Sequence, residues 1–146
     1  MPKDKRIVAT SITADKPTPS LNIYSREILE RLIREFNVRA RKRPVKGSIL
    51  NQDAIYELGE VSHATRRLFI DDSGTLCAEI EIIDSPEGKK LLNMINENII
   101  VARPIMCIPA YIDEIKKQSH GPTSITDIKS IVRIQVQNAK PTDSDK

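Results

Sequence analysis

Short apolar segments rich in β-branched residues recur along the chain, and two stretches show the wider apolar spacing of amphipathic helices. Residues 6–13 (RIVATSIT) are typical of a strand. Residues 14–22 contain prolines and small polar residues and predict a loop. From 25 to 37 the apolar residues fall on one face of a helix, with Ser25 as a good N-cap and Asn37 as the expected end.

The clearest pattern is a hairpin formed by residues 61–70 and 75–83. Residues 71–74 (DDSG) have turn chemistry, because Gly74 tolerates a positive φ. In the second run apolar residues alternate with Cys77 and two glutamates. This alternation predicts a half-buried antiparallel strand with Cys77 on its polar face.

The second helix has an equally clear start. Ser85 is suited to the N-cap and Pro86 to the first helical position, and the helix is expected to end near Glu97. Residues 99–111 are apolar but interrupted by two prolines, which predicts an edge or bulged strand. A short strand is expected over residues 44–50.

The C-terminal part predicts a polar loop over residues 113–124 and a last strand over 125–136. The element order is therefore β-α-β-ββ-α-β-β. This order predicts an α+β fold with a mostly antiparallel β-sheet or small barrel and two main helices. We expect a single domain over residues 1–137 and a polar, flexible tail over 138–146.

A chain of 146 residues is long enough for one domain with its own core. No apolar run reaches the length that spans a membrane, and we expect no signal peptide. Cys77 and Cys107 have neither CxxC spacing nor a neighbouring histidine, which excludes a disulfide scaffold and the usual zinc signatures. Dinucleotide, Walker A and HExxH motifs are absent from the sequence. We therefore expect a protein of a reducing cytoplasm, with no metal and no cofactor.

Charge is small in total but uneven along the chain. The formal net charge is +3, which does not imply a polyanionic partner, and aromatic residues make up only 3% of the chain. A base-stacking surface needs more aromatic faces, so we do not expect nucleic acid as a partner. Positive charge is concentrated in one stretch, which indicates either a solvated helix end or a contact patch for an acidic partner. Its cations are Arg31, Arg34, Arg39, Arg41, Lys42, Arg43 and Lys46.

The sequence offers few groups for nucleophilic catalysis, which needs a nucleophile, a base and a group that orients the base. Its histidines are His63, in a predicted strand, and His120, in a predicted loop. No serine lies in a GxSxG elbow. A pair of Cys107 with His63 is conceivable, but a lone histidine in a strand is more often structural than catalytic.

Four segments follow one another in an order that one protein family shares. Residues 22–29 (NIYSREIL) resemble an N-x-x-Y-P-R-E-V-L helix entry, and residues 60–63 (EVSH) resemble an N-V-S-H strand start. Residues 68–89 resemble an L-W-x-x-G-x-x-x-G-x-I-E-I-L-D-T-P-x-G-K hairpin and helix start, and residues 126–136 resemble a final strand. The family is the prohead core protease family of tailed phages. The resemblance, from Tyr24 to Ala139, implies a herpesvirus-assemblin-like fold.

The two segments that carry the family's chemistry differ in this chain. The family's catalytic histidine lies in a G-E-x-x-H-P segment, but residues 46–53 (KGSILNQD) place Asn51 or Gln52 there. Its serine lies in a G-V-S-S-R-G segment, but residues 100–105 (IVARPI) place Ala102 there. In this register both nucleophile and base are absent, and such a loss removes most of the rate of a triad.

The resemblance therefore favours a non-catalytic phage virion structural or assembly protein that keeps the protease fold as a protein-binding scaffold. It would be a capsid-associated, decoration, scaffold or connector component, assembled in the host cytoplasm and retained in the virion. Other virion proteins would be its partners, and it would be able to form a homo-oligomer. The residues expected to contact an acidic partner are Arg39, Arg41, Lys42, Arg43, Lys46 and Arg103.

Two other functions remain open. One is an active serine protease of prohead maturation with an unusual catalytic register. Its nucleophile would be Ser48, Ser62 or Ser119, and its base would be His63 or His120. The other is a nucleic-acid-binding module that uses the basic stretch, for which salt-sensitive binding would be diagnostic.

Overall fold

The computed structural model describes residues 4–50, 61–97, 100–107, 121–125 and 128–138. The strands are β1 (Lys5–Thr13), β2 (Asn22–Tyr24), β3 (Val45–Gly47), β4 (Ile49–Leu50), β5 (His63–Ile70), β6 (Thr75–Ile82), β7 (Ile100–Cys107), β8 (Thr123–Ile125) and β9 (Ser130–Asn138). The helices are α1 (Arg26–Lys42) and α2 (Pro86–Asn96).

Within the described ranges, seven strands form one sheet in the order β3-β5-β6-β1-β7-β9-β4, with mostly antiparallel neighbours. The two ends of this order, β3 and β4, are consecutive in the chain and separated only by Ser48. β3 pairs with β5, and β4 pairs with β9. Residues 45–50 therefore join both edges, and the sheet closes almost completely into a barrel. This confirms the predicted α+β fold with two helices and a mostly antiparallel, barrel-like sheet.

Polar contacts fix the corner at which the barrel closes. The Ser48 amide donates to Gln135 Oε1 at 3.0 Å, and Gln135 Nε2 donates to Ser48 Oγ at 2.9 Å. A Cβ on Gly47 would lie 2.6 Å from the Nε2 atom of His63 and closer still to the Ile134 carbonyl oxygen. Only glycine permits this approach of β3 to β9. The predicted single strand over 44–50 is therefore two short strands that turn at Ser48.

Both helices begin where the sequence predicts. Ser25 accepts a hydrogen bond from the Ile28 amide, and Ser85 accepts one from the Gly88 amide. α1 packs on β5 and β9. Its buried side chains, which form part of the core, are Leu29, Leu32, Phe36 and Ala40.

The predicted end of the first helix at Asn37 is wrong, because α1 continues to Lys42. Asn37 Nδ2 donates to the Leu68 carbonyl at 3.0 Å, and the Leu68 amide donates to Asn37 Oδ1 at 2.8 Å. β3 covers the edge of β5 only as far as Thr65, so main-chain groups of β5 beyond that point need another partner. Asn37 meets that need from inside a helix, where its propensity alone would not favour it.

The predicted hairpin is confirmed, but its second strand is not half-buried. Cys77 is 3% exposed and Glu81 9% exposed, although both lie on the outer face of β6. Arginines of β5 fold across this face: Arg67 pairs with Glu79 at 2.6 Å, and Arg66 pairs with Glu81 at 3.3 Å. Their long side chains cover β6 on the side that the alternation predicted to be open.

β7 is not an edge strand, because it lies between β1 and β9. The predicted bulge is present between Ile105 and Met106. Pro104 lies past Ala102, where the pairing of β1 with β7 has already ended. Its missing amide donor therefore costs no bond to β1.

A short strand begins at the end of each of two predicted loops. β2 and β8 pair in parallel, with Asn22 opposite Thr123. The last strand consequently starts at Ser130 rather than at residue 125, which belongs to β8. The predicted tail beyond residue 138 lies outside the described residues.

Candidate functional site

A groove opens where β1 and β7 separate. The two strands are paired at one position only, Thr10 with Ala102. The Thr10 hydroxyl donates to the Leu76 carbonyl at 2.8 Å and accepts from the Ile12 amide at 3.0 Å. These bonds hold the irregularity of β1 between Ala9 and Thr13. This irregularity lies in the pairing of β1 with β6, and beside the single β1–β7 pair a space lined by both strands has a volume of about 420 Å³.

Ala102 lies in the wall of this groove and is 2% exposed. Arg103, the next residue, also lines the groove and is exposed, and its guanidinium donates to the Gln137 side chain at 3.3 Å. It is the one charged residue among the described residues that line this space. The methyl group of Ala102 has no nucleophilic or acid–base chemistry, so this wall offers a cation but no reactive atom.

The opposite wall comes from Thr18, Pro19, Ser20, Asn22 and Tyr24, and sequence reasoning did not identify it as functional. Asn22 Nδ2 makes a long contact of 3.5 Å with the Tyr24 hydroxyl, and Asn22 Oδ1 is buried without a partner in the described part of the chain. Burial raises the pKa of Tyr24, and the contact with Asn22 partly opposes this. The only sequence signal is the N-x-Y pattern, which the resemblance assigns to a helix entry.

His63 is fully buried and does not line the groove. Its Nε2 lies 2.8 Å from the Ile134 carbonyl oxygen, which can only accept, so Nε2 carries the proton. The Ser62 hydroxyl therefore donates to Nδ1, at 2.8 Å. Burial lowers the pKa of His63, and the bond to Ile134 partly opposes this. Both ring nitrogens are thus occupied, and the bond from Nε2 to Ile134 ties β5 to β9.

The basic stretch divides into two parts. Arg39 is tied to β9, because its guanidinium donates to the carbonyls of Ile131 at 2.7 Å and Val132 at 2.9 Å. It also lies over the ring of Phe36, 5.0 Å from the ring centre. The remaining candidates are exposed at the end of α1 and on β3, on different elements from Arg103. They are Arg41, Lys42, Arg43 and Lys46.

Some of the other candidate residues lie within the described ranges and some do not. Asn51, Ser119 and His120 lie outside the described residues. The conceivable pair of Cys107 with His63 is wrong, because Cys107 is exposed whereas both nitrogens of the buried His63 ring are occupied by other groups. Among the described residues no cluster of three or more acidic, histidine or cysteine side chains could hold a metal ion. No helix in the described ranges has the length and apolar character to cross a membrane.

Comparison with known proteins gives a distant structural likeness. No protein-family model matches the sequence, and no curated protein matches it. The structure is similar to the bacteriophage T4 capsid assembly protease, gp21, with a TM-score of 0.68 and 11% sequence identity. The match covers 97% of this chain and 85% of the T4 protease chain. At this identity the likeness establishes the protease-like fold, which the sequence resemblance implied.

Proposed function

We propose that this protein is a non-catalytic phage virion structural or assembly protein that uses a prohead-protease-like fold to bind another protein. The observation that carries the proposal is the position of Ala102. It lies in the groove between β1 and β7, at the residue that the sequence resemblance aligns with the nucleophilic serine. A methyl group there cannot form an acyl-enzyme.

The state of His63 supports the same proposal. A general base must reach a substrate proton, directly or through one water. The ring of His63 has no exposed surface, and its two nitrogens already bond Ser62 and Ile134. Where the family has its catalytic histidine, the resemblance aligns Asn51 or Gln52.

The proposed partner is another virion protein with acidic side chains on its contact surface. The T4 relative is described as a capsid assembly protease, which supports a role in the same process for this chain. Arg103 is the candidate contact in the groove, and four exposed cations form a second candidate patch. They are Arg41, Lys42, Arg43 and Lys46. Arg39 is a weaker candidate, because its guanidinium already bonds two carbonyl groups.

One observation favours the alternative of an active protease. Ser62 and His63 form a serine–histidine hydrogen bond of 2.8 Å, as a catalytic pair would. Both residues, however, are fully buried and neither lines the groove. Catalysis by this pair would require the barrel to open at its closure, so we rank it second.

Quantitative mass spectrometry of purified particles of the encoding phage tests the proposed role. We expect the chain at a fixed number of copies per particle, and we expect Arg103→Glu to lower its incorporation at least about tenfold. Arg26→Glu is the matched control, because Arg26 is exposed and does not line the groove. Absence of the wild-type chain from particles and from their assembly intermediates would contradict the proposal.

A further inference from the structure

The corner at which the barrel closes carries charge of one sign. Residues 36–50 and β9 contain no acidic residue. None of their exposed cations takes part in a salt bridge within the described part of the chain, whereas the arginines of β5 pair with glutamates of β6. Uncompensated positive charge of this kind attracts an acidic partner. The exposed cations are Arg39, Arg41, Lys42, Arg43, Lys46 and Arg133.

Contacts bring these cations together from distant parts of the sequence. Arg39 donates to the Val132 carbonyl at 2.9 Å, which places the end of α1 beside β9. β3 approaches the main chain of β9 at Gly47, where an added Cβ would clash with a carbonyl oxygen of β9. Lys46 on β3 and Arg133 on β9 directly precede this point. The positive charge of α1, β3 and β9 therefore forms one surface around the closure.

Two exposed apolar side chains lie among the cations. In the described part of the chain the large apolar residues with exposed side chains are few, and they include Val38, 46% exposed, and Val132, 39% exposed. Arg41 and Lys42 follow Val38 by three and four residues in α1, so they share its face of the helix. The basic face of α1 therefore has an aliphatic group in its middle.

Val132 reaches the surface through an irregularity of the sheet. Ile131 and Arg133, on either side of it, each have an opposite residue on β7, but Val132 has none. It is thus the extra residue of the bulge, and a bulge redirects a side chain. Its carbonyl bonds α1, which holds the bulge in place. We define the closure surface as the exposed side chains of residues 38–46 and 132–133.

The combination of cations with aliphatic groups favours an acidic protein over a nucleic acid. A duplex presents phosphates outwards and offers no aliphatic partner to Val38 or Val132. Stacking of single-stranded bases needs exposed aromatic faces, but Phe36, the aromatic residue of this region, is 1% exposed. A protein surface supplies carboxylates and aliphatic side chains together, as interfaces with an apolar centre and a polar rim do.

We propose that the closure surface binds an acidic segment of a partner protein, with Val38 and Val132 contacting aliphatic side chains and the cations around Arg133 contacting carboxylates. This rests on the proposed function, because it names the surface and the chemistry that hold the partner. It requires no occupant in the groove between β1 and β7, and Arg103 is not part of the closure surface.

The test measures the binding of three fluorescent probes to the purified full chain by fluorescence anisotropy. The probes are the acidic peptide EELDDLEELDDL, the same peptide with serine in place of leucine, and a DNA duplex. We expect the leucine peptide to bind most tightly. Its affinity should fall at least about tenfold when NaCl rises from about 50 mM to about 300 mM, because salt screens exposed charges.

Charge reversal and loss of the apolar group test the two kinds of contact separately. Arg133→Glu should weaken binding of both peptides at least about tenfold, and Lys46→Glu should act in the same direction. Val132→Ser should weaken the leucine peptide about threefold and leave the serine peptide unchanged. Lys89→Glu is the matched control, because Lys89 is an exposed cation of α2 and its reversal changes the net charge equally. Equal urea midpoints verify that the variants are folded.

Each other outcome overturns a stated part of the inference. No binding of either peptide, or equal losses for Arg133→Glu and Lys89→Glu, would overturn the closure surface as a site. Duplex DNA that binds more tightly than both peptides would overturn the assignment to a protein. A serine peptide as tight as the leucine peptide would overturn the apolar contacts.

Particle composition distinguishes this inference from the proposed function. Loss of incorporation for Arg103→Glu but not for Arg133→Glu would overturn the closure surface as the site of the virion partner and leave the proposed function intact. Absence of the wild-type chain from particles and their assembly intermediates would refute the proposed function. Peptide binding that depends on Arg133 and Val132 would still support the closure surface in that case.

Discussion

Substitution of Gly47 by alanine should strongly destabilise the barrel at its closure. The added Cβ would lie 2.6 Å from His63 Nε2 and closer to the Ile134 carbonyl oxygen. The added Cβ would meet both partners of the 2.8 Å bond between His63 and Ile134, so relief of the clash without a shift of β3 separates those two groups. Overpacking costs about 1–3 kcal/mol, and a buried polar group left without a partner costs about 1–3 kcal/mol. We therefore expect a loss of about 2–6 kcal/mol, a large part of the roughly 5–15 kcal/mol of a typical domain.

Urea denaturation followed by far-ultraviolet circular dichroism measures this loss as a lower midpoint. Gly121→Ala is the matched control, since no atom lies within 4 Å of the Cβ that it would add. Its unfolding free energy should stay within about 0.5 kcal/mol of the wild type. If Gly47→Ala were as stable as Gly121→Ala, the described approach of β3 to β9 would be wrong.

Three further predictions follow from polar and thiol groups. Because the folded-state pKa of His63 lies below its usual value, the unfolded chain binds the proton first as pH falls. The unfolding free energy should therefore fall as pH drops below about 7, by up to about 1.4 kcal/mol per pH unit. The variant His63→Gln should remove this slope in equilibrium denaturation. Asn37→Ala should lower the unfolding free energy by about 1–3 kcal/mol in urea, because two main-chain groups of Leu68 lose their partner; an unchanged value would contradict this. Burial and a neighbouring carboxylate raise the pKa of Cys77 to about 11. Iodoacetamide at pH 8 should therefore alkylate the exposed Cys107 much faster than Cys77. Equal alkylation rates of the two cysteines, measured by peptide mapping, would refute this.

The local elements could be predicted because their determinants are local. Ser25 and Ser85 mark the helix starts through caps that need only the following turn. Asn37 gave a false helix end, since its partner Leu68 lies in a distant strand. The burial of Cys77 likewise depends on side chains from a neighbouring strand that hydrophobic alternation in β6 does not record.

Only the part of the candidate site that lies in a recognised sequence motif could be predicted. Ala102 could be placed by its position in the resemblance, and the structure puts it in the groove wall. Nothing in the sequence distinguished Asn22 from ordinary loop residues, because an unpartnered buried oxygen arises from tertiary structure. The role of His63 in closing the barrel was equally hidden, since Gly47 and Ile134 approach it from distant parts of the chain.

The absence of protease chemistry is the central claim, and active-site labelling tests it most directly. The purified chain is incubated with an excess of a serine-reactive fluorophosphonate, and its intact mass is measured. The account predicts an unmodified mass, because Ala102 has no hydroxyl and the Ser62–His63 pair is buried. A stoichiometric adduct on one serine would contradict it and identify the protein as an active serine enzyme.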